Sequence, residues 1–490
     1  MTDRSTGEGP VDSGGLPIVV DLDGTLTPTD TLVESLIGVV KKSPLNLLRV
    51  PSWLLRGRAG FKQAVAAQAD LAVRSLPYRN GLLEYLREQR NRGRRTILAT
   101  AAHVSIARGV AEHLGLFDEV LATDGGCNLK GETKLAAIRK TTGGEFVYAG
   151  DSVADLPIWK GARAAILVGV SPAVRAAVAR HVPVEREFAR EAAGPSIWLQ
   201  ALRLHQWLKN LLLFVPLLTA FSFMEVGKLA TMATAFLSFS LAASASYLVN
   251  DLWDLDNDRA HPRKRLRAFA SGRLPIVRGL AVAAAALAIA AALALAVSPG
   301  FLTMLLLYLA LTSAYSWWLK EQVLIDVLTL SLLYTLRILA GSVAISVATS
   351  SWLLAFSVFL FLSLALVKRC AELVTMRHSG ATAARGRDYR VGDLVVLWPL
   401  GIGAALCAVV VFGLFISAPE TQARYATPQL LWLVAIGLVY WLAHMWIRTS
   451  RGEMHDDPVI YVIKDPASRL AVALMIAATL AAHFLSLDPL

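Results

Sequence analysis

The alternation of apolar and polar positions changes character once along this chain. Up to about residue 195 the apolar stretches are short, and beyond that point runs long enough to cross a bilayer dominate. In the first part, Leu16-Pro17-Ile18-Val19-Val20 is an apolar run ending at Asp21-Leu22-Asp23-Gly24-Thr25-Leu26, the pattern of a buried parallel strand followed by a turn. Residues 95–100, 145–149 and 164–168 read as strands of the same kind, separated by segments of helical periodicity such as 106–114. The pattern predicts a doubly wound α/β sheet, whose ligands bind at the carboxyl ends of strands, where Asp21 and Asp23 fall. Residues 30–92 are helical in pattern. In the second part, nine spans can be laid out: 208–223, 229–249, 274–297, 301–318, 323–347, 352–367, 395–417, 430–446 and 470–487. The expected organisation is therefore an α/β domain over 1–195 and an all-α polytopic membrane domain over 196–490.

Composition supports that division, because 55% hydrophobic and 17% charged residues fall outside the soluble range. The net charge of +11 could suggest nucleic acid, but in the membrane portion Lys and Arg gather in short loops rather than along a soluble face. The loops at 250–273, 319–322, 368–394 and 447–469 hold nearly all of that portion's charge. The opposite-side segments 224–228, 298–300, 348–351 and 418–429 contain only Lys228 and Arg424 as basic residues. The positive-inside rule then places the four charged loops in the cytoplasm of a multi-pass inner-membrane protein. Residues 1–15 are polar and Gly-rich, with no basic stretch leading into an apolar one, so a cleaved signal is not expected and the first domain is expected on the same side. Cys127, Cys370 and Cys407 have no paired spacing, which argues against a disulfide framework or a zinc site. Oligomeric state is left open.

Two carboxylates after a strand are as often a helix cap as a metal site. Here they are followed in order by Thr100, Lys134 and Gly150-Asp151-Ser152-Val153-Ala154-Asp155, and the whole series resembles the haloacid dehalogenase (HAD) superfamily of phosphohydrolases. The resemblance implies a Rossmann-like fold with residues 30–92 as a helical cap, suited to small phosphoesters or an exposed lipid headgroup. It implies Asp21 as the nucleophile, Asp23 as the acid and base, and Thr100 with Lys134 gripping the phosphoryl oxygens. Acids converging on a dianionic phosphate would repel it, so Mg2+ held by Asp21, Asp151 and the Asp23 carbonyl is implied, with Asp155 behind them. Lys130 is a second candidate for the role of Lys134.

The first long charged loop reads Asn250-Asp251-Leu252-Trp253-Asp254-Leu255-Asp256-Asn257-Asp258-Arg259-Ala260-His261-Pro262-Arg263-Lys264-Arg265-Leu266-Arg267. On one helix Asp251, Asp254 and Asp258 would share a face, which at a membrane surface calls either for a cation or for balance by the basic run that follows. Oxygen-only ligands beside Lys and Arg suggest Mg2+ carrying a diphosphate. The signature, placed after the second span, resembles the UbiA superfamily of intramembrane prenyltransferases over residues 200–490. Most members carry a second aspartate-rich motif after the sixth span, where this chain has Lys368-Arg369-Cys370-Ala371-Glu372.

That departure suits a substrate with additional phosphates. Together with Leu204-His205-Gln206-Trp207-Leu208-Lys209-Asn210 and Tyr315-Ser316, it resembles the decaprenyl-phosphate phosphoribosyltransferase branch. The resemblance implies transfer of 5-phosphoribose from phosphoribosyl pyrophosphate (PRPP) to a polyprenyl phosphate, with pyrophosphate leaving. Asp251, Asp254 and Asp258, with Glu372, would hold a second Mg2+. Lys209, Asn250, Arg259, Lys264, Arg265, Lys368 and Arg369 would contact substrate. The phosphatase would then remove the 5-phosphate, leaving a polyprenyl-phosphoribose for arabinose donors of the cell envelope. An aromatic prenyltransferase of quinone or haem synthesis, fused to a small-molecule phosphatase, is the alternative. A transporter is disfavoured because no inverted repeat or pair of broken helices is evident. Asp326 and Arg337 lie within an apolar span, as functional groups or as a structural pair. His455-Asp456-Asp457, with Lys464, Asp465 and Arg469, could touch ribose or cap a helix.

Overall fold

The computed structural model describes residues 15–124, 126–189, 194–378, 387–454 and 458–486, so His455, Asp456 and Asp457 lie outside the described residues. Its contacts divide the chain into two compact units, Met1–Leu202 with Tyr247–Ala283, and Arg203–Ser246 with Ala284–Leu490. The division departs from the expected break at 195/196, because Tyr247–Ala283, with the acid-rich loop, packs as part of the first unit.

The first unit is built on a six-stranded parallel sheet in the order β3-β2-β1-β4-β5-β6. β1 (Ile18–Val20) lies between β2 (Thr96–His103) and β4 (Val147–Gly150). All three β1 side chains are fully buried, which is why three β-branched residues suffice for a central strand. β5 (Ala164–Val168) coincides with the expected strand. β3 (Glu119–Thr123) and β6 (Val184–Phe188) were not anticipated. They are the two sheet edges, and their mixed polar sequences lack the continuous apolar run that marks a central strand.

Between β1 and β2 the chain is entirely helical, as expected for a cap, with principal helices Thr31–Lys42, Gly57–Gln68 and Asn80–Asn91. Asp30 caps the first of these by accepting from the Leu32 and Val33 N–H groups, with Glu34 in its first turn and Lys41 and Lys42 in its last, all favourable to the helix dipole. Val39, Trp53 and Val65 form a small apolar core between the cap helices.

Eight helices among the described residues are long and apolar enough to span a bilayer: Val226–Trp253, Ile276–Val297, Pro299–Trp317, Ile325–Ala344, Ser351–His378, Val391–Ser417, Pro428–Ser450 and Pro466–Phe484. The ninth expected span, at 208–223, is instead a 3-10 segment Leu204–Phe214, a single turn Val215–Thr219 and a second 3-10 turn Ser222–Met224. Pro216 supplies no N–H there, and Arg203 and Phe221 adopt positive φ, so no continuous helix forms.

This broken segment is anchored through Asn210, whose amide nitrogen donates to Ser240 Oγ at 3.0 Å and whose carbonyl accepts from Arg337 Nε at 2.9 Å. Leu213 crosses helix Ile325–Ala344 so closely that a Cβ on Gly341 would lie 2.1 Å from the Leu213 carbonyl oxygen. In the same unit, Ser363 ties helix Ser351–His378 to its neighbours, donating to the Gly401 carbonyl at 2.9 Å and accepting from Trp446 Nε1 at 3.1 Å.

Alanine in place of a helix-interior glycine ordinarily stabilises by about 0.5–1 kcal/mol. At Gly341 the fixed carbonyl reverses the sign, and Gly341→Ala is expected to destabilise by about 1–3 kcal/mol through overpacking. Thermal unfolding in detergent checks this against Gly403→Ala, where nothing lies within 4 Å of the added atom.

Candidate functional site: two clusters of buried acids

The first cluster forms where β1 and β4 end side by side. A cavity of about 550 Å³ opens there, lined by Asp21, Asp23, Lys134, Asp151 and Asp155, with Lys62 from the cap. One carboxylate oxygen from each of Asp21, Asp151 and Asp155 lies within 4.8 Å of the others, an oxygen-only set that could hold a small divalent cation. Gly24 adopts φ +78°, and a Cβ there would overlap the Asp151 carboxylate, so the glycine is what lets the turn pass this group. Lys134 Nζ sits 3.0 Å from Asp21 Oδ1 and donates to the Tyr148 hydroxyl at 2.8 Å, which donates to Asp155 Oδ1 at 2.9 Å. Asp155 Oδ2 also accepts from the Asp151 and Ser152 N–H groups, both at 3.2 Å, so it holds the turn as well as facing the cluster.

Asp23 lines the same cavity and accepts from the Thr31 N–H at 2.8 Å. Thr100 does not line the cavity as expected. It is fully buried, its hydroxyl accepts from the Ala102 N–H at 3.0 Å, and the wall at this strand end consists of Ala101, Ala102 and His103. Because β2 continues to His103, the strand end lies three residues beyond Thr100. Lys130 lines the cavity too, but Lys134 makes the contact with Asp21. Lys62, which no motif marked, donates to the Ala101 carbonyl at 2.6 Å and to Asn128 Oδ1 at 2.9 Å.

Burial dominates the electrostatics. It pushes the Asp23 carboxyl up to about 7, with Asp30 and Asp21 adding to the effect, and Asp151 up to about 7, with Asp155 and Asp21 adding. Asp21 is also raised by burial, against the opposing pull of Lys134.

The second cluster lies on the acid-rich loop of the same unit. The long helix ends at Trp253, Asp254 takes non-helical dihedrals, and a short helix Leu255–Ala260 follows. The expected single helix is thus broken at Asp254. Its hydrogen bonds continue across the break, from Asp254 N to Asn250 O and from Asp258 N to Asp254 O, so Asp251 and Asp258 still converge. Arg267 lies between them, Nη1 standing 3.2 Å from Asp251 Oδ1 and 2.7 Å from Asp258 Oδ2. Asp251 and Asp258 are buried, and Asn250 Oδ1 is buried with no hydrogen-bond partner. Asp251 and Asp258 offer oxygen ligands that could hold a divalent cation in place of the guanidinium. Arg267 belongs to the basic run but sits at no motif spacing that would single it out. Lys264 and Arg265 are exposed. Arg259, expected at substrate, is committed to Glu34 of the cap.

In the second unit, Lys209 and Lys368 line a small cavity with Tyr334, and Lys209 Nζ stands 5.8 Å from the Tyr334 ring centre. Arg369 is buried and pairs with Asp326 at 2.5 Å and with Glu372, and Glu372 also pairs with Arg387 at 2.7 Å. Two guanidinium groups therefore hold the expected metal ligand Glu372, and Arg369 serves an intramembrane carboxylate. Asp326 and Arg337 are both paired, though not with each other: Arg337 holds Asn210, the Leu333 carbonyl and the Tyr308 hydroxyl. Asp465 caps the helix Pro466–Phe484 through the Ser468 N–H and receives His444.

The UbiA prenyltransferase family matches residues 211–464, and haloacid dehalogenase-like hydrolase matches residues 18–160. The chain is 39% identical to "Uncharacterized protein y4nM" of Sinorhizobium fredii, over 94% of this chain and 90% of that protein. It is 34% identical to the decaprenyl-phosphate phosphoribosyltransferase of Mycobacterium tuberculosis, over 44% of this chain and 72% of that protein. Among solved structures, a UbiA homologue from Archaeoglobus fulgidus bound to GPP and Mg2+ aligns with 58% of this chain and 99% of its own, at 17% identity and a TM-score of 0.44. With seven of the apolar helices among the described residues lying inside one match and the parallel sheet beginning in the other, the chain belongs to the UbiA prenyltransferase family and carries a haloacid dehalogenase-like hydrolase domain ahead of its membrane helices.

Proposed function

We propose that the protein is a polyprenyl-phosphate phosphoribosyltransferase fused to the phosphatase that processes its product. The observation that carries this reading is the second acid cluster, where Asp251 and Asp258 share the Arg267 guanidinium, and where the preceding residue, Asn250, has a buried side-chain oxygen with no partner. Such a set suits a cation that brings a diphosphate. Support comes also from 34% identity to proteins named decaprenyl-phosphate phosphoribosyltransferase.

In the transferase reaction a polyprenyl phosphate oxygen attacks the anomeric carbon of PRPP. The bond from that carbon to pyrophosphate breaks, and its electron pair leaves with pyrophosphate. Asp251, Asp254 and Asp258 hold Mg2+ in this reading, and Asn250 completes the donor set. Arg267, Lys264 and Arg265 would supply positive charge for diphosphate oxygens. Lys209 and Lys368 bind phosphate, whereas Arg259, Arg369 and Glu372 hold structure. Bound Mg2+ would supply charge neutralisation for the leaving diphosphate here and for the phosphoryl group in the phosphatase.

In the phosphatase, Asp21 attacks the 5-phosphate while Asp23, protonated near neutrality, gives its proton to the ribose oxygen. Asp23 then takes a proton from the water that frees Asp21. Asp151 with Asp21 holds the metal, Asp155 aligns them, and Lys134 steadies Asp21. The hydrolase domain and the four charged loops face the cytoplasm of an inner membrane.

Mass spectrometry of lipids formed from labelled PRPP and polyprenyl phosphate by the purified protein tests this. Wild type is expected to yield the dephosphorylated lipid, Asp21→Asn its 5-phosphorylated precursor, and Asp251→Asn with Asp254→Asn neither. Absence of the precursor in Asp21→Asn would separate the two activities, and preference for a prenyl diphosphate in competition would return the transferase to aromatic acceptors. Asp23→Asn is expected to lower phosphatase kcat by about 10²–10⁴-fold, the usual share of general acid–base catalysis.

The acids raised to about 7 also set a pH dependence. Unfolded carboxyl groups titrate near 4, so between about pH 4 and 7 the metal-free folded state binds more protons than the unfolded one, and stability falls as pH rises through that window. Mg2+ favours the ionised acids and is expected to raise the unfolding temperature more at pH 8 than at pH 6, relative to EDTA. Equal increments at both pH values would contradict the assignment.

A further inference from the structure

Arg259 directly follows Asp258, yet its guanidinium is used within the first unit to reach the phosphatase cap. Nη1 and Nη2 donate to the two carboxylate oxygens of Glu34 at 2.8 and 2.6 Å, and Nε donates to the Ala270 carbonyl at 3.1 Å. The Arg259 and Glu34 side chains are only 5% and 4% exposed. An isolated charge so far from water is strongly unfavourable, so each group depends on the other. Glu34 is therefore bound to its position by electrostatics and not only by helix preference.

The chain of contacts continues to the acids. Ala270 lies three residues beyond Arg267, whose guanidinium stands between Asp251 and Asp258. Arg259 thus fixes both strands of the loop, the outgoing one through its own backbone beside Asp258 and the returning one through Ala270. Two further contacts seat the same loop on the hydrolase domain. Lys41 meets Asp256 at 3.0 Å, an exposed pair of small energetic weight. Gly272, at φ +72°, passes so close to Pro28 and Pro77 that a Cβ would overlap Pro28.

We propose that Glu34 of the hydrolase domain is a positioning residue for the transferase: through Arg259 it sets the geometry in which Asp251 and Asp258 take up a divalent cation. The proposal rests on the reading of that loop as a metal–diphosphate site. It makes the soluble domain a structural part of the membrane enzyme, and Glu34 itself touches neither substrate nor metal.

Mn2+ binding, followed by electron paramagnetic resonance, tests it on the full chain. The parent carries Asp21→Asn and Asp151→Asn so that the phosphatase cluster does not compete. Adding Glu34→Gln is expected to weaken Mn2+ binding by about 10–100-fold, the usual effect of losing a group that orients metal ligands. Arg259→Lys, which keeps the buried charge but loses the paired contacts, is expected to weaken it in the same direction. Glu34→Arg combined with Arg259→Glu is expected to recover part of the loss, which a steric defect would not. Hydrolysis of p-nitrophenyl phosphate by the same substitutions with Asp21 and Asp151 intact reports folding and is expected to persist. Should Glu34→Gln lose that hydrolysis, Arg259→Lys and the exchanged pair decide. Unchanged Mn2+ affinity in variants that retain hydrolysis overturns the positioning role. Unchanged affinity in Asp251→Asn overturns instead the reading of the loop as a metal site.

Discussion

Carboxylates withdrawn from water must find positive charge close by, and the shape of both acid clusters follows from that requirement. At the end of β1 the partner is Lys134, itself nearly inaccessible and held by Tyr148. On the acid-rich loop it is Arg267, and within the membrane helices Arg369 answers Asp326 and Glu372. The three solutions differ in completeness. Asp326 is fully buried and bound by Arg369, by Tyr389 and by its own helix's Val327 N–H, so nothing remains for a ligand to supply. Asp21 is opposed by Lys134 and Asp151 by Arg79, yet burial, with neighbouring acids adding to it, outweighs both, and their carboxyls remain raised. Under-compensation, rather than burial alone, separates a site from a strut.

That distinction explains what could be read from the residues. Asp21, Asp23 and Asp151 were legible because each follows an apolar strand, and strand ends in a parallel sheet converge by topology. Thr100 was misplaced by the same logic: an apolar run marks where a strand lies but not how far its hydrogen bonding continues, and β2 runs on to His103. The edge strands escaped because half-exposed strands need no apolar run. The nine-span count failed at 208–223 because hydropathy counts apolar residues and is indifferent to Pro216 and to the positive φ of Phe221. Arg259 was assigned to substrate from its neighbours in the motif, since nothing local reveals a partner 225 residues away at Glu34.

The intramembrane basic residues illustrate a related limit. Lys368 and Arg369 are adjacent in the sequence and looked alike, yet successive helix positions point about 100° apart. Arg369 turns to Asp326, while Lys368 lines the cavity with Lys209 and Tyr334. A loop lacking the second aspartate-rich motif therefore does not simply exchange acids for bases. One base is consumed in holding the helices together, and only the other is placed against a cavity.

Arg267 shows how two buried acids can be held by a single counter-ion. Its side chain is 31% exposed, whereas Asp258 beneath it is 1% exposed, so the acid is fixed while the guanidinium retains access to solvent. In the proposed reading a divalent ion would take the place of the guanidinium and keep Asp251 and Asp258 compensated. The burial of the acids and the partial exposure of their counter-ion are thus one arrangement, in which the acids are fixed and the charge that balances them stays within reach of solvent.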